Sequence, residues 1–262
     1  MKTIKSLCLV LLTGWLATAC TEPEPKPGPE PTPAPAPTPT DPAKGFVSGQ
    51  ALNADGKPIA GADIVVNNAQ FFNSNILGRT DEEGKYKLQL TPGSWYVRGS
   101  IKVSYDGLLY TLDLHPETEG AFAGTEGAVR NLRSKLTGPK PAEFGGGGYY
   151  GGLVEMYGDM VNGFYDTDQV ELTMEPVKPL IDGSAGKKLV LKLSGGLIGQ
   201  TQDVAIGRYR ITARFLPTGE SLQLRLRNKD QEYASEVISS FEPAYPGATG
   251  SYKLTLEGQM RK

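Results

Sequence analysis

Residues 47–66 read VSGQALNADGKPIAGADIVV and residues 80–97 read TDEEGKYKLQLTPGSWYV, and these two stretches decide the fold class. In the second, Tyr86, Leu88 and Leu90 alternate with Lys85, Lys87 and Gln89, the period of a strand with one buried and one wet face. Asn53-Ala54-Asp55-Gly56, Asp81-Glu82-Glu83-Gly84 and Pro92-Gly93 supply turn residues between such runs. Residues 101–114 read as a hairpin about Asp106-Gly107, a pair suited to the positive φ of a two-residue turn. Short strands at this spacing, with no helical period, predict an antiparallel sandwich.

The same residues, from Phe46 to Ser100, resemble the carboxypeptidase regulatory-like domain. That resemblance implies a small transthyretin-like β-sandwich without catalytic residues, a module of many secreted and surface proteins. Residues 115–152 are glycine-rich, with a short helix expected around 129–136. GGGGYYGG at 145–152 lacks the Lys-Ser/Thr ending that a phosphate-binding loop needs, and reads as a connection. Strand patterns then resume, and Gly207-Arg208-Tyr209-Arg210-Ile211 echoes Gly93-Ser94-Trp95-Tyr96-Val97. The expectation is therefore an all-β chain of two small antiparallel β-sandwich units, transthyretin-like or Ig-like, at residues 45–138 and 139–262.

A different segment decides where such a chain belongs. Residues 1–19 combine basic Lys2 and Lys5, an apolar run from Leu7 to Leu16, and small Ala17, Thr18 and Ala19, directly before Cys20. The run is shorter than the roughly 20 apolar residues that span a bilayer. The residues alone fit a plain cleavable leader, an uncleaved anchor or a lipidation signal. LATAC at 16–20 resembles the lipobox of bacterial lipoproteins, which implies cleavage before Cys20 and acylation there. Two or three acyl chains, at about 0.8 kcal/mol per buried CH₂, hold a protein firmly to a bilayer. Thr21 is not the Asp that retains such lipoproteins in the inner membrane, so the resemblance favours the outer membrane or cell surface. Residues 20–44 form a Pro-rich linker, with a proline at nearly every second position from 21 to 42. Such a run favours extended polyproline II and reaches roughly 60–70 Å at about 3.1 Å per residue.

Composition narrows the chemistry. Cys8 and Cys20 are the two cysteines and His115 is the one histidine, so a Cys or His metal cluster and a disulfide are not expected in the mature chain. Removing Lys2 and Lys5 leaves 25 basic against 29 acidic residues, about −4, which argues against nucleic acid as a partner. The acidic groups Asp81-Glu82-Glu83, Glu117 with Glu119, and Asp166 with Asp168 sit in turns or exposed loops, where a solvated acidic run is the ordinary reading. Asn53-Asp55 and Asp166-Asp168 are too short for a dedicated calcium loop. Asp182-Gly183-Ser184 reads as a turn rather than a nucleophile elbow.

No catalytic residue, cofactor or metal site is expected. The candidate ligand-binding residues are Tyr149, Tyr150, Tyr157 and Tyr165, joined by Phe164 within 17 residues, with Phe71 and Phe72 in another loop. Aromatic rings stack on sugar faces or anchor protein partners, and they also fill sandwich ends and seams. The expected partners are the lipid bilayer through acylated Cys20 and an envelope protein or glycan.

Overall fold

The computed structural model describes residues 42–144 and 147–261. The leader, most of the linker and Cys20 lie outside the described residues. Everything described falls in one compact unit. The chain is all-β, with three single-turn 3₁₀ segments among the described residues.

The first sandwich uses β1 (Phe46–Leu52), β2 (Asp63–Asn68), β3 (Asn75–Arg79), β4 (Lys85–Gln89), β5 (Ser94–Tyr105), β6 (Leu108–Pro116), β7 (Phe122–Ala123), β8 (Ala128–Val129) and β9 (Leu132–Ser134). Alternation does what the sequence requires of it: Val47 and Ala51, Ile64 and Val66, Trp95 and Val97 all turn inward to one core. Strand order is β3-β2-β5-β6-β9-β1-β4, with β1 parallel to β9 and its neighbour β4 antiparallel. The expected short helix around 129–136 is instead strand β9, because the chain closes the sheet between β1 and β6. Gly49 permits this closure: a Cβ there would lie 1.9 Å from the Arg130 carbonyl oxygen.

The second sandwich uses β10 (Gly152–Gly158), β11 (Val170–Pro176), β12 (Leu189–Lys192), β13 (Ile198–Val204), β14 (Arg208–Phe215), β15 (Gln223–Leu226), β16 (Val237–Ser240), β17 (Glu242–Pro243) and β18 (Tyr252–Gln259). Its sheets run β13-β10-β18-β15 and β12-β11-β14-β16. Matching β1 to β10, β2 to β11, β3 to β12, β4 to β13, β5 to β14, β6 to β16 and β9 to β18 reproduces the first sandwich's pairings except β6 with β9, whose counterparts β16 and β18 lie in separate sheets. The parallel pair recurs as β10 with β18, and the other retained pairs are antiparallel in both. The two sandwiches share most of one strand plan, and in the second it is β17, just after β16, that pairs with β18.

The sequence echo lies at the same point of that plan. Trp95 and Tyr209 are each the second residue of the matched strands β5 and β14, and both are buried. The Trp95 indole N–H donates to the Thr91 carbonyl at 3.0 Å, and the Tyr209 hydroxyl donates to the Ala205 carbonyl at 2.8 Å. Each ring thus fills a core while its polar end satisfies a carbonyl four residues earlier.

The β5–β6 hairpin outgrows its own sandwich. Tyr110 is fully buried in the second core, with Val103, Tyr105 and Leu112 packed against it. The Tyr110 hydroxyl donates to the Phe241 carbonyl at 2.6 Å, and Tyr105 donates to the Pro179 carbonyl while accepting the Arg208 N–H. At the tip, Asp106 takes φ +52 and Gly107 +81, the two-residue turn expected there. Asp106 meets Lys178 Nζ at 2.7 Å, Arg208 at 2.5 Å and the Ser240 hydroxyl at 2.5 Å. Hydrogen bonds from Lys178 and Ser240, aided by Arg208, hold its carboxyl well below the usual carboxylate range.

A carboxylate with a depressed folded pKa adds stability that is complete above its unfolded pKa, about 3.9, starts to fall there, and is lost as pH drops on through the depressed folded value. Lys178 and Arg208 are about a third exposed, so screening limits the gain. Asp106→Asn is expected to lower unfolding free energy at pH 7 by about 2 kcal/mol. Urea melts taken from pH 6 down to about pH 3 should show wild type losing stability faster than the variant until the gap narrows.

Candidate functional site

The glycine-rich connection is built around Asp203. This residue sits at φ +63, and its two carboxylate oxygens accept the Gly138 N–H at 2.8 and 2.7 Å. One of them also takes the Gly151 N–H at 3.2 Å. Tyr150 N–H bonds the Gly138 carbonyl, Lys140 N–H bonds the Gly148 carbonyl, and Pro139 bridges Tyr149. The two sides of the connection are therefore tied before β10 begins.

This tie sends adjacent tyrosines in opposite directions. Tyr150 is buried, its hydroxyl 3.1 Å from His115 Nδ1 and its ring edge-on to the imidazole. Burial raises the Tyr150 phenol and lowers His115, with Lys135 adding to the latter, so both stay neutral near pH 7. Tyr149 is 42% exposed and lines a cleft of about 240 Å³ with Gln202, Asp203, Ser251 and Lys140. Asp203 is committed to backbone N–H groups, and Lys140 to Asp113 and the Gly250 carbonyl. Gln202 and Ser251, both exposed, line the same cleft.

The other expected aromatics are not gathered there. Tyr157 lies eight residues on, roughly 25 Å along extended chain. Its ring carries the Arg227 guanidinium at 3.7 Å, in a second cleft of about 220 Å³ with Lys229, Ser239 and Glu242. Phe164 is buried, edge-on to Phe215 at 5.7 Å. Tyr165 is 47% exposed, and its hydroxyl donates to the Met160 carbonyl at 3.0 Å. The four candidate tyrosines thus divide between the two ends of β10, and Tyr149 is the one of them that is both exposed and lines a cleft. Sequence proximity had no way to separate Tyr149 from Tyr150, since alternation assigns faces only once a strand's register is known.

The polar motifs act as turns. Asn53 Oδ1 accepts the N–H groups of Asp55 and Lys57, and Asp81 Oδ1 those of Glu83 and Lys85. Asp182 Oδ1 accepts both the N–H and hydroxyl of Ser184, while Glu117 pairs with Arg133. Among the described residues no three His, Cys, Asp or Glu side chains come together as a metal site.

No model of a known protein family matches the chain, and no curated protein does. Solved structures give distant similarity. The Bacillus anthracis TIE protein is 12% identical over 83% of this chain and 34% of its own, with a TM-score of 0.32. The minor pilin GBS52 of Streptococcus agalactiae is 11% identical over 83% of this chain and 96% of its own, with a TM-score of 0.26. The shaft pilin SpaA of Lactobacillus rhamnosus GG is 11% identical over 84% and 100%, with a TM-score of 0.24. The chain spans about a third of the length of the TIE protein. Superpositions this loose say nothing about what the chain does.

Asp203→Ala is expected to destabilise the protein by about 2 kcal/mol, since it strips acceptors from two amides and leaves a side chain ill-suited to positive φ. Asp203→Asn keeps an acceptor and tolerates that backbone, so it should lose about half as much. Hydrogen exchange at the Gly138 and Gly151 amides, read beside a thermal melt, distinguishes the two.

Proposed function

We propose that this chain is a non-enzymatic lipoprotein of the cell envelope, held to a membrane by acyl groups on Cys20 and serving a binding or scaffolding role. The observation that carries the reading is the small-residue run ending in Cys20, followed by alternating prolines from 21 to 42. Acyl chains hold one end, the spacer gives reach, and the β-body presents its loops to other envelope components. The carboxypeptidase regulatory-like resemblance supports the same reading, because that module works without catalytic residues. Expressed in a bacterial host, the wild-type chain should partition into detergent phase and carry an acyl mass increment on its amino-terminal peptide. Cys20→Ser should move it to the aqueous phase. An unmodified Cys20 in the membrane fraction rejects the proposal.

A second reading is favoured by one observation: the exposed Tyr149 lines a cleft together with the exposed residues Gln202 and Ser251. A ring flanked by neutral hydrogen-bonding groups suits a sugar, which has an apolar face and a hydroxyl rim. On a glycan array, Tyr149→Ala is expected to weaken any binding by about tenfold or more. Tyr157→Ala should leave it unchanged, since that ring is already covered by Arg227.

A further inference from the structure

The loop of residues 68–75 reads NAQFFNSN and carries no charged residue. Phe71 is 66% exposed and Phe72 fully so, at 101%. The loop is nevertheless well built. Asn68 Oδ1 accepts the N–H groups of Gln70 and Phe71 at 2.9 and 3.0 Å, and the Ser74 carbonyl accepts the Asn68 N–H. Asn67 Nδ2 donates to Asn75 Oδ1 across its base. Hydrogen-bonded backbone thus holds two phenyl rings in water, where a soluble surface has no reason to keep them.

The position of this loop identifies what it meets. The chain enters the first sandwich at Gly45, whose carbonyl accepts the Leu90 N–H, and Phe46 pairs with Gln89. Four residues later Ser94 begins β5, where its carbonyl takes the Ala69 N–H and Trp95 pairs with Asn68. Chain entry and the Phe71–Phe72 loop therefore share one end of the sandwich. The other end is the Asp106 turn, twelve residues of β5 away, or roughly 40 Å. The 41 residues that precede the described body, with Cys20 among them, connect to it at the phenylalanine end.

We infer that the 68–75 loop is a bilayer-contacting tip, with Phe71 and Phe72 entering the lipid interface when the body settles on the membrane. This inference rests on the anchoring at Cys20 proposed above. The spacer sets the greatest distance of the body from the membrane. A proline-rich sequence of this composition limits that distance without fixing it, so the end nearest the anchor is the one expected to land. Aromatic rings on a loop that itself carries no charged residue suit the headgroup–acyl boundary, where such a loop adds no charge desolvation of its own.

The test uses the full acylated chain in phosphatidylethanolamine–phosphatidylglycerol vesicles. An environment-sensitive label is placed at Gln70→Cys or, as a control at the far end, at the exposed Leu109→Cys. Lipid-borne nitroxides should quench the Gln70 label and spare the Leu109 label. Phe71→Ser with Phe72→Ser should reduce quenching at position 70 to the control level while the chain stays membrane-bound. Equal quenching at both positions, or quenching indifferent to the double substitution, overturns the inference. So does protection at position 70 that requires added envelope protein, which assigns the loop to a protein partner. Anchoring is read separately by mass spectrometry of Cys20. If Cys20 proves unmodified, vesicle sedimentation of the Cys20→Ser chain still decides the tip: loss of both phenylalanines should weaken it by about tenfold, and no change rejects it.

Discussion

The turn at Asp106 governs how the body holds together. A hairpin that carries Tyr105 and Tyr110 into a neighbouring core must bring its polar turn along, and a carboxylate taken from water needs donors at once. Lys178, Arg208 and Ser240 supply them from three separate places in the second sandwich. Tyr252 closes the other flank, its hydroxyl accepting the Thr111 N–H and donating to the Thr111 carbonyl. Tyr110 and Tyr252 lie with ring centroids 4.8 Å apart inside the same seam. Apolar area drives the hairpin in, and the paired polar groups decide where it stops.

The two sandwiches repeat most of one strand plan, and repetition explains where variety is allowed. In both, an aromatic at the second residue of the long central strand fills the core and returns a hydrogen bond to the carbonyl four residues back. Interior positions are thereby constrained alike, while loops at the strand ends differ freely. The Tyr149 cleft lies at one such end, the Tyr157–Arg227 pair at another, and the Phe71–Phe72 loop beside the chain's entry.

Much of this was legible in the chain itself. Alternation over 85–90, the turn pairs Asp106-Gly107 and Pro92-Gly93, and the Gly-x-aromatic echo at 93–97 and 207–211 each report a local requirement. Strand period, positive φ and a ring at a strand's start are properties of a few neighbouring residues, so a linear reading reaches them. Residues 129–136 misled because a short apolar run suits helix or strand equally, and only pairing with β1 and β6 chose between them.

The chain alone determined the all-β class, the turn positions and, through the residues around Cys20, the expectation of a lipid anchor. Tertiary structure alone decided that Tyr149 faces a cleft while Tyr150 enters the core. It also decided that Asp106 meets cations 72 and 102 residues away, and that the phenylalanine loop shares an end with the incoming chain. Face, burial and long-range pairing depend on register between strands distant in sequence, and no local pattern encodes which distant partner arrives.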